Sequence, residues 1–357
     1  MPSERPTTDT AASDLPLGPT PEWLVHQLDP ATDQAVLLSI TEPEYRQASF
    51  LDQRAIGPAA QLRPSDWRAI GAAIDPAWRR DAQFIFHIGN VGSTLLSRLL
   101  GEHPGILALR EPLLLRTWAD CLGPVPGPVR WSGEEANARL DLLTALLSRT
   151  YRPDQRALVK ATSFTSEIAW RLLPPSAKAL FLFASPQPYI ENILGGPNSR
   201  QALEYTSPAR LARLQSRCPG LTLDLAALGP ARKAALGWAC EMSSLRHSEA
   251  RMPAGSVLWL DFDRFLADPA GQLAAVAAHF AVALTGRDAQ ALCAGPLMRR
   301  YSKALEYEFT PATRREILAE ARRAHGPAIR DALGWLVALA ARYPAVADAI
   351  RVAQRGS

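Results

Sequence analysis

Five short apolar runs constrain this chain more than any other feature: "QFIFHI" (83–88), "ILALR" (106–110), "RALVK" (156–160), "KALFLFA" (178–184) and "SVLWLD" (256–261). Each is bounded by turn residues, and helical patterns separate most of them, at 93–102, roughly 134–150, 165–173 and 230–252. Short, continuously apolar strands alternating with helices predict βαβ units around a buried parallel sheet of about five strands. In such sheets ligands bind at the carboxyl ends of the strands. The segments to inspect are therefore those that follow each run: "GNVGST", "EPL", "ATSF", "SPQP" and "FDRF".

The first of these segments is the most informative. In "FIFHIGNVGSTLLSRLL" (84–100) a strand runs through two glycines into a helix. Gly89 and Gly92 admit torsions that other residues resist. Ser93 and Thr94 fall in the first helical turn, beside N–H groups that have no intrahelical partner. Aligned peptide dipoles and free donors make this an anion cradle; the competing reading is a plain strand-to-helix turn with a hydroxyl cap. It is not a Walker A loop, because that motif needs Gly-x4-Gly-Lys-Ser/Thr and no lysine stands here. An ATP-dependent small-molecule kinase is accordingly the weakest of the functional alternatives.

Glu111 follows "ILALR" directly and is kept out of regular structure by Pro112. A carboxylate at the sheet's carboxyl edge can take a proton from an attacking hydroxyl, or it can pair with Arg110 or Arg116. Lys160 ends "RALVK" at the same edge. Of 39 basic residues only four are lysines, Lys160, Lys178, Lys233 and Lys303, so a lysine at such a position draws attention. Asp261 and Asp263, in "LDFDRF", are expected to cap a helix or pair. Trp118, Trp131 and Trp238 are expected in the core or in the wall of an acceptor pocket.

Composition excludes several classes. The net charge is +4 over 357 residues, with charges dispersed, so neither nucleic acid nor a membrane surface is implied, while an anionic substrate is compatible. Cys121, Cys218, Cys240 and Cys293 stand alone, without paired spacing, which predicts reduced thiols and a cytoplasmic setting. The six histidines never fall at metal-ligand spacing, so no metal is expected. The N-terminus lacks an apolar signal core and no stretch reaches membrane-spanning length.

Taken together, "GNVGSTLL" (89–96), "HPGILALREPLL" (103–114) and "VLWLDFDRFLADPAGQLAAVAAHFAV" (257–282) resemble, in order and spacing, the 3′-phosphoadenosine-5′-phosphosulfate (PAPS) dependent sulfotransferases, bacterial and carbohydrate-directed members above all. The resemblance spans residues 81 to about 303. It implies a three-layer, P-loop-like α/β fold and transfer of a sulfuryl group from PAPS to a hydroxyl or amine of a small-molecule or carbohydrate acceptor. It assigns Gly89, Asn90, Val91, Gly92, Ser93 and Thr94 to the 5′-phosphosulfate and Glu111 to the acceptor proton, and lets Lys160 bind the sulfuryl group or bridging oxygen.

The family's basic loop residue is Asn90 here. Its 3′-phosphate element aligns with "ASPQPYIEN" (184–192), where Ala184 replaces Arg and Asn192 replaces Ser. Arg200, and Arg299, Arg300 and Lys303 in "MRRYSK", are the residues that can return charge to the cofactor; the alternative is a solvated basic face. A non-catalytic protein that keeps the fold and binds a nucleotide or partner is the second reading of these departures.

The expected organisation is a disordered tail over 1–16, an N-terminal extension over 17–80, the sulfotransferase-like core over 81–303 and a C-terminal helical segment over 304–357. Within these, "QAVLLSI" (34–40) is expected as a strand and "RPSDWRAIGAAI" as a helix capped by Ser65. "PAGQLAAVAAHFAV" (269–282), "TPATRREILAEARRAH" (310–325) and "PAIRDALGWLVALAARY" (327–343) are expected as separate helices.

Overall fold

A computed structural model describes residues 15–125 and 127–356; most of the expected tail, residues 1–14, lies outside the described residues. The chain begins with strands β1 (Trp23–Asp29) and β2 (Gln34–Ser39), helix α1 (Glu42–Gln47), strand β3 (Leu62–Asp66) and helix α2 (Trp67–Ala73). The three strands pair antiparallel in the order β1-β2-β3. Asp66, rather than Ser65, caps α2, its carboxylate accepting from the N–H groups of Arg68 and Ala69. Ser65 is still a ladder residue, opposite Ala35, so the strand runs to the cap itself.

The core follows as β4 (Gln83–His87), α3 (Ser93–Gly101), β5 (Ile106–Arg110), α4 (Leu114–Leu122), α5 (Gly133–Leu147), β6 (Arg156–Lys160), α6 (Ala169–Leu172) and β7 (Ala179–Phe183). It continues with α7 (Pro186–Gly195), α8 (Pro197–Gln215), α9 (Pro230–Glu249), β8 (Val257–Asp261), α10 (Phe262–Ala267), α11 (Pro269–His279) and α12 (Gly286–Ala294). Helices α13 (Pro311–Arg342) and α14 (Pro344–Gly356) close the chain.

Strands β4 to β8 form one sheet in the order β5-β6-β4-β7-β8, with every pair parallel. These are the five strands predicted from the apolar runs. Every residue of β4, β5 and β7 is buried, on both sides of the pleat, so both faces of the sheet are covered. The strand order places β4 centrally, with its carboxyl end between those of β6 and β7.

Helix α13 is one 32-residue helix where two were expected, and Pro327 sits inside it. The residue before a proline normally clashes through its Cβ in the helical region, and Gly326 has none. Proline also strands the carbonyl one turn back, which here belongs to exposed Arg323 and can be hydrated. Trp118, Trp131 and Trp238 are all core: Trp67, Trp118 and Trp131 form a chain of edge contacts at 5.3 and 5.0 Å, joining the start of α2 to α4 and to the segment before α5. Trp238 donates its indole N–H to the Ala184 carbonyl at 2.9 Å.

Candidate functional site

The loop between β4 and α3 is held in an unusual backbone state. Gly89, Asn90 and Gly92 all have positive φ, +83°, +55° and +71°. At Gly92 a Cβ would lie 2.0 Å from the Phe262 ring, so the position excludes any side chain as well as favouring glycine's torsion. The first turn of α3 opens from this residue, and among the described residues the backbone N–H groups of 90–94 meet no protein acceptor. Thr94 Oγ1 is likewise buried without a partner, and Ser93 is buried beside it. Donors without acceptors at a helix N-terminus fit an anion, and the missing Cβ at Gly92 is what lets the loop lie this close to Phe262.

Asn90 has a local physical reason. At φ +55° a β-carbon is strained, and asparagine tolerates that region better than lysine or arginine. Its carbonyl accepts from Asn192 Nδ2 at 3.0 Å, tying the loop to α7. The loop thus trades a charge for a torsion.

Glu111 also has positive φ, +51°, a costly state for a residue other than glycine. Its own N–H donates to the Lys160 carbonyl at 2.6 Å. Leu51, from the N-terminal segment, brackets the Glu111–Pro112 step: its N–H donates to the Arg110 carbonyl at 2.7 Å, and its carbonyl accepts from Leu113 at 3.0 Å. The strained turn is therefore held from two sides.

The partner of Glu111 is neither Arg110 nor Arg116 but Lys160, whose Nζ donates to Glu111 Oε1. Arg110 is the residue before Glu111 on the strand, and its buried guanidinium instead serves the carbonyls of Tyr45 and Ala48 at the end of α1. Lys160 is 1% exposed, and burial brings its ammonium down to about 8 against the opposing pull of Glu111. Glu111 keeps 18% exposure, which leaves its carboxylate open to a reacting group.

Two further residues complete this cluster. His87, the last residue of β4, is buried; its Nδ1 accepts the Gly89 N–H at 3.0 Å, and its Nε2 lies 4.0 Å from Glu111 Oε1. Burial, reinforced by the charges of Lys160 and Lys303, holds its pKa well below the usual value, so the ring is neutral. Lys303 is half-buried within electrostatic reach of Glu111, and burial lowers its pKa too.

Lys303 is delivered by a hairpin in which Tyr301 donates to the Tyr307 carbonyl and Phe309 to that of Arg299. Arg98, buried on α3, anchors this hairpin by donating to the Ser302 carbonyl at 2.9 Å. The same guanidinium reaches the Gln47 carbonyl and Ser49 Oγ. One arginine thus fixes the loop helix, the hairpin and the N-terminal segment to one another.

The other expected basic residues stand apart from this cluster. Arg299 and Arg300 are exposed, Arg300 bridging to Glu308 across the hairpin. Arg200 is exposed in the first turn of α8 and lines a 490 Å³ cleft with Glu316, Glu320 and Arg323 of α13. Asp261 caps α10 and accepts from the Ser185 N–H, while Asp263 pairs with Arg314, as expected of structural carboxylates.

Sequence reasoning missed what the N-terminal segment contributes. Arg54 lies 3.4 Å over the Phe50 ring and is clasped by Asp52, and it stands within electrostatic reach of Glu111 and Lys303. Lys160 Nζ is 5.5 Å from the same ring. No local pattern marks Phe50 or Arg54. His87 carried a signal, since it is the strand-end residue immediately before the loop.

No family model matches the chain, and no curated protein matches it. Among solved structures it is similar to the sulfotransferase domain from the curacin biosynthetic pathway, at 14% identity over 65% of this chain and 84% of that one, with a TM-score of 0.40. It is similar to a sulfotransferase from Mycobacterium tuberculosis H37Rv, at 16% identity over 71% and 82%, with a TM-score of 0.37. A mouse sulfotransferase complexed with PAP matches at 13% identity over 71% and 89%, with a TM-score of 0.34. Each of these three solved structures is a sulfotransferase.

Proposed function

We propose that the chain transfers a sulfuryl group from PAPS to a hydroxyl or amine of an acceptor. The observation that carries this reading is the adjacency of two things: a loop of unsatisfied N–H donors at the end of β4, and the Glu111–Lys160 pair at the ends of the neighbouring β5 and β6. The N–H groups of residues 90–94, with Ser93 and Thr94, would hold the phosphosulfate. PAPS supplies the electrophilic sulfur and a phosphate leaving group.

Glu111 takes the acceptor's proton as the acceptor oxygen bonds to sulfur. Lys160 and Lys303 neutralise charge gathering on the phosphate oxygen as the sulfur–oxygen bond breaks and adenosine 3′,5′-bisphosphate leaves. Positioning and charge stabilisation supply the rate, as they do in phosphoryl transfer. Lys160 stands in for the charge that Asn90 does not provide. Arg299, Arg300, Arg200 and Asn192 are proposed contacts of the 3′-phosphate end, of which Asn192 is already tied to the loop.

Calorimetry with adenosine 3′,5′-bisphosphate, against ATP and ADP, tests the reading. Binding of the bisphosphate in preference to both is expected; no response at millimolar concentration overturns it. Binding without sulfate transfer to any acceptor would instead favour a non-catalytic nucleotide-binding protein.

A further inference from the structure

The His87 imidazole is a buried polar ring that faces both halves of the site. Its Nδ1 accepts the Gly89 N–H, so in the neutral ring the proton must reside on Nε2. That Nε2–H is buried, has no hydrogen-bond partner, and lies 4.0 Å from Glu111 Oε1. A buried donor left unpaired is costly, so its place in the fold calls for an acceptor that comes within reach in another state of the site.

The pair beside it identifies that state. In this structure the Lys160 ammonium is committed to Glu111. Lys160 sits on β6 next to β4, opposite Ile85, two residues from His87. An anion on the loop offers Lys160 a second acceptor and leaves the Glu111 carboxylate short of a donor. The groups facing His87 are then Glu111, Lys160, Lys303 and the Ala161 backbone, and of the charged groups only Glu111 can accept from it.

We propose that His87 is a positioning residue, whose Nδ1 sets the loop and whose Nε2–H takes over Glu111 when Lys160 turns to the transferring group. This rests on the sulfuryl-transfer reading for the identity of that group. It makes anion binding the event that arms the base: Glu111 exchanges a cationic partner for a neutral donor, and a carboxylate freed from an ammonium is the stronger proton acceptor. Co-substrate therefore binds before acceptor chemistry begins.

Ring nitrogen NMR on the full chain, with and without adenosine 3′,5′-bisphosphate, is the direct test. The expected result is a neutral ring protonated on Nε2, with an Nε2 resonance that moves on adding the bisphosphate and moves far less in Glu111→Gln. Two substitutions separate the two nitrogens. His87→Asn can mimic Nδ1 and should bind the bisphosphate within about threefold of the parent while kcat falls about 10- to 100-fold at little-changed KM. His87→Gln can mimic Nε2 and should lose about fivefold to tenfold in bisphosphate affinity while retaining more of kcat.

A ring protonated on Nδ1, or an Nε2 resonance blind to both bisphosphate and Glu111→Gln in a protein that binds the bisphosphate, overturns this inference and leaves the functional reading standing. Equal losses of affinity and turnover in both variants overturn it as well. Failure of the parent protein to bind the bisphosphate overturns the functional reading and the exchange together.

Discussion

Lys160 Nζ donates to Glu111 Oε1 across the boundary between β5 and β6, one partner sealed from solvent and the other partly open. Each strand contributes the residue at or just past its carboxyl end, so the pair follows from parallel register, Arg110 standing opposite Lys160. If Glu111 is the base, Glu111→Gln should lower turnover at least about a hundredfold while bisphosphate affinity changes little. Single-turnover kinetics and calorimetry on the same variant check both halves; joint loss contradicts the assignment.

Lys160 gives the site an alkaline limb. Its pKa is brought down to about 8, so its charge is present below that pH and is lost as pH rises through it. Activity should therefore decline above about pH 8, and Lys160→Arg, which stays charged, should carry activity to higher pH even at a reduced maximum. The pH profiles of kcat for the two proteins decide this; coincident alkaline limbs would assign the limb to another group.

Gly92→Ala should destabilise the protein by about 2–4 kcal/mol, because a β-carbon there meets both a left-handed backbone and the Phe262 ring. Trimming the ring with Phe262→Leu should recover part of the loss in the double variant relative to the sum of the singles. Urea unfolding of the four proteins measures this, and strict additivity would mean the two residues do not meet.

Asn90→Lys should restore a charge at the cost of a torsion. The expected outcome is a loss of about 1 kcal/mol in stability, since lysine at φ +55° is strained, together with tighter bisphosphate binding. The Asn192 contact is to the Asn90 backbone carbonyl and survives the change. Asn90→Gly separates the two effects, keeping stability without adding charge; thermal unfolding and calorimetry report each.

A buried ionic network behind the site sets a further expectation. Arg213 pairs with Glu167 and bidentately with Glu241, and Arg217 pairs with Glu167 and Ser244. Burial alone would raise the Glu167 pKa, but Arg213 and Arg217 outweigh it and leave it lowered. Removing one carboxylate by Glu241→Gln leaves Arg213 and Arg217, with Arg210 beside them, to share the Glu167 carboxylate, which should cost about 3–5 kcal/mol. Chemical denaturation checks the loss; a neutral result would mean that water enters the network.

Sequence alone determined the sheet and the places to look on it. The apolar runs are strands because continuous burial on both faces leaves no room for polar alternation, and that signal is local. The glycines of "GNVGST" likewise announced a left-handed turn into a helix, and the Glu111–Pro112 step announced a break at a strand end. The helix ends were less legible: Gly326 and Pro327 read as a stop, yet the helix passes through them because a glycine before proline removes the usual clash.

Tertiary structure alone decided the partners. Whether Glu111 met an arginine beside it in sequence or Lys160, 49 residues on, depended on strand register. That Arg98 gathers Ser302, Gln47 and Ser49, and that Phe50 and Arg54 from the N-terminal segment come to Lys160 and within electrostatic reach of Glu111, depended on contacts between segments far apart in the chain. Side-chain type and spacing fix what a residue can do along its own strand or helix. Which charge it neutralises is set by neighbours that only the packing of distant segments brings within a few ångströms.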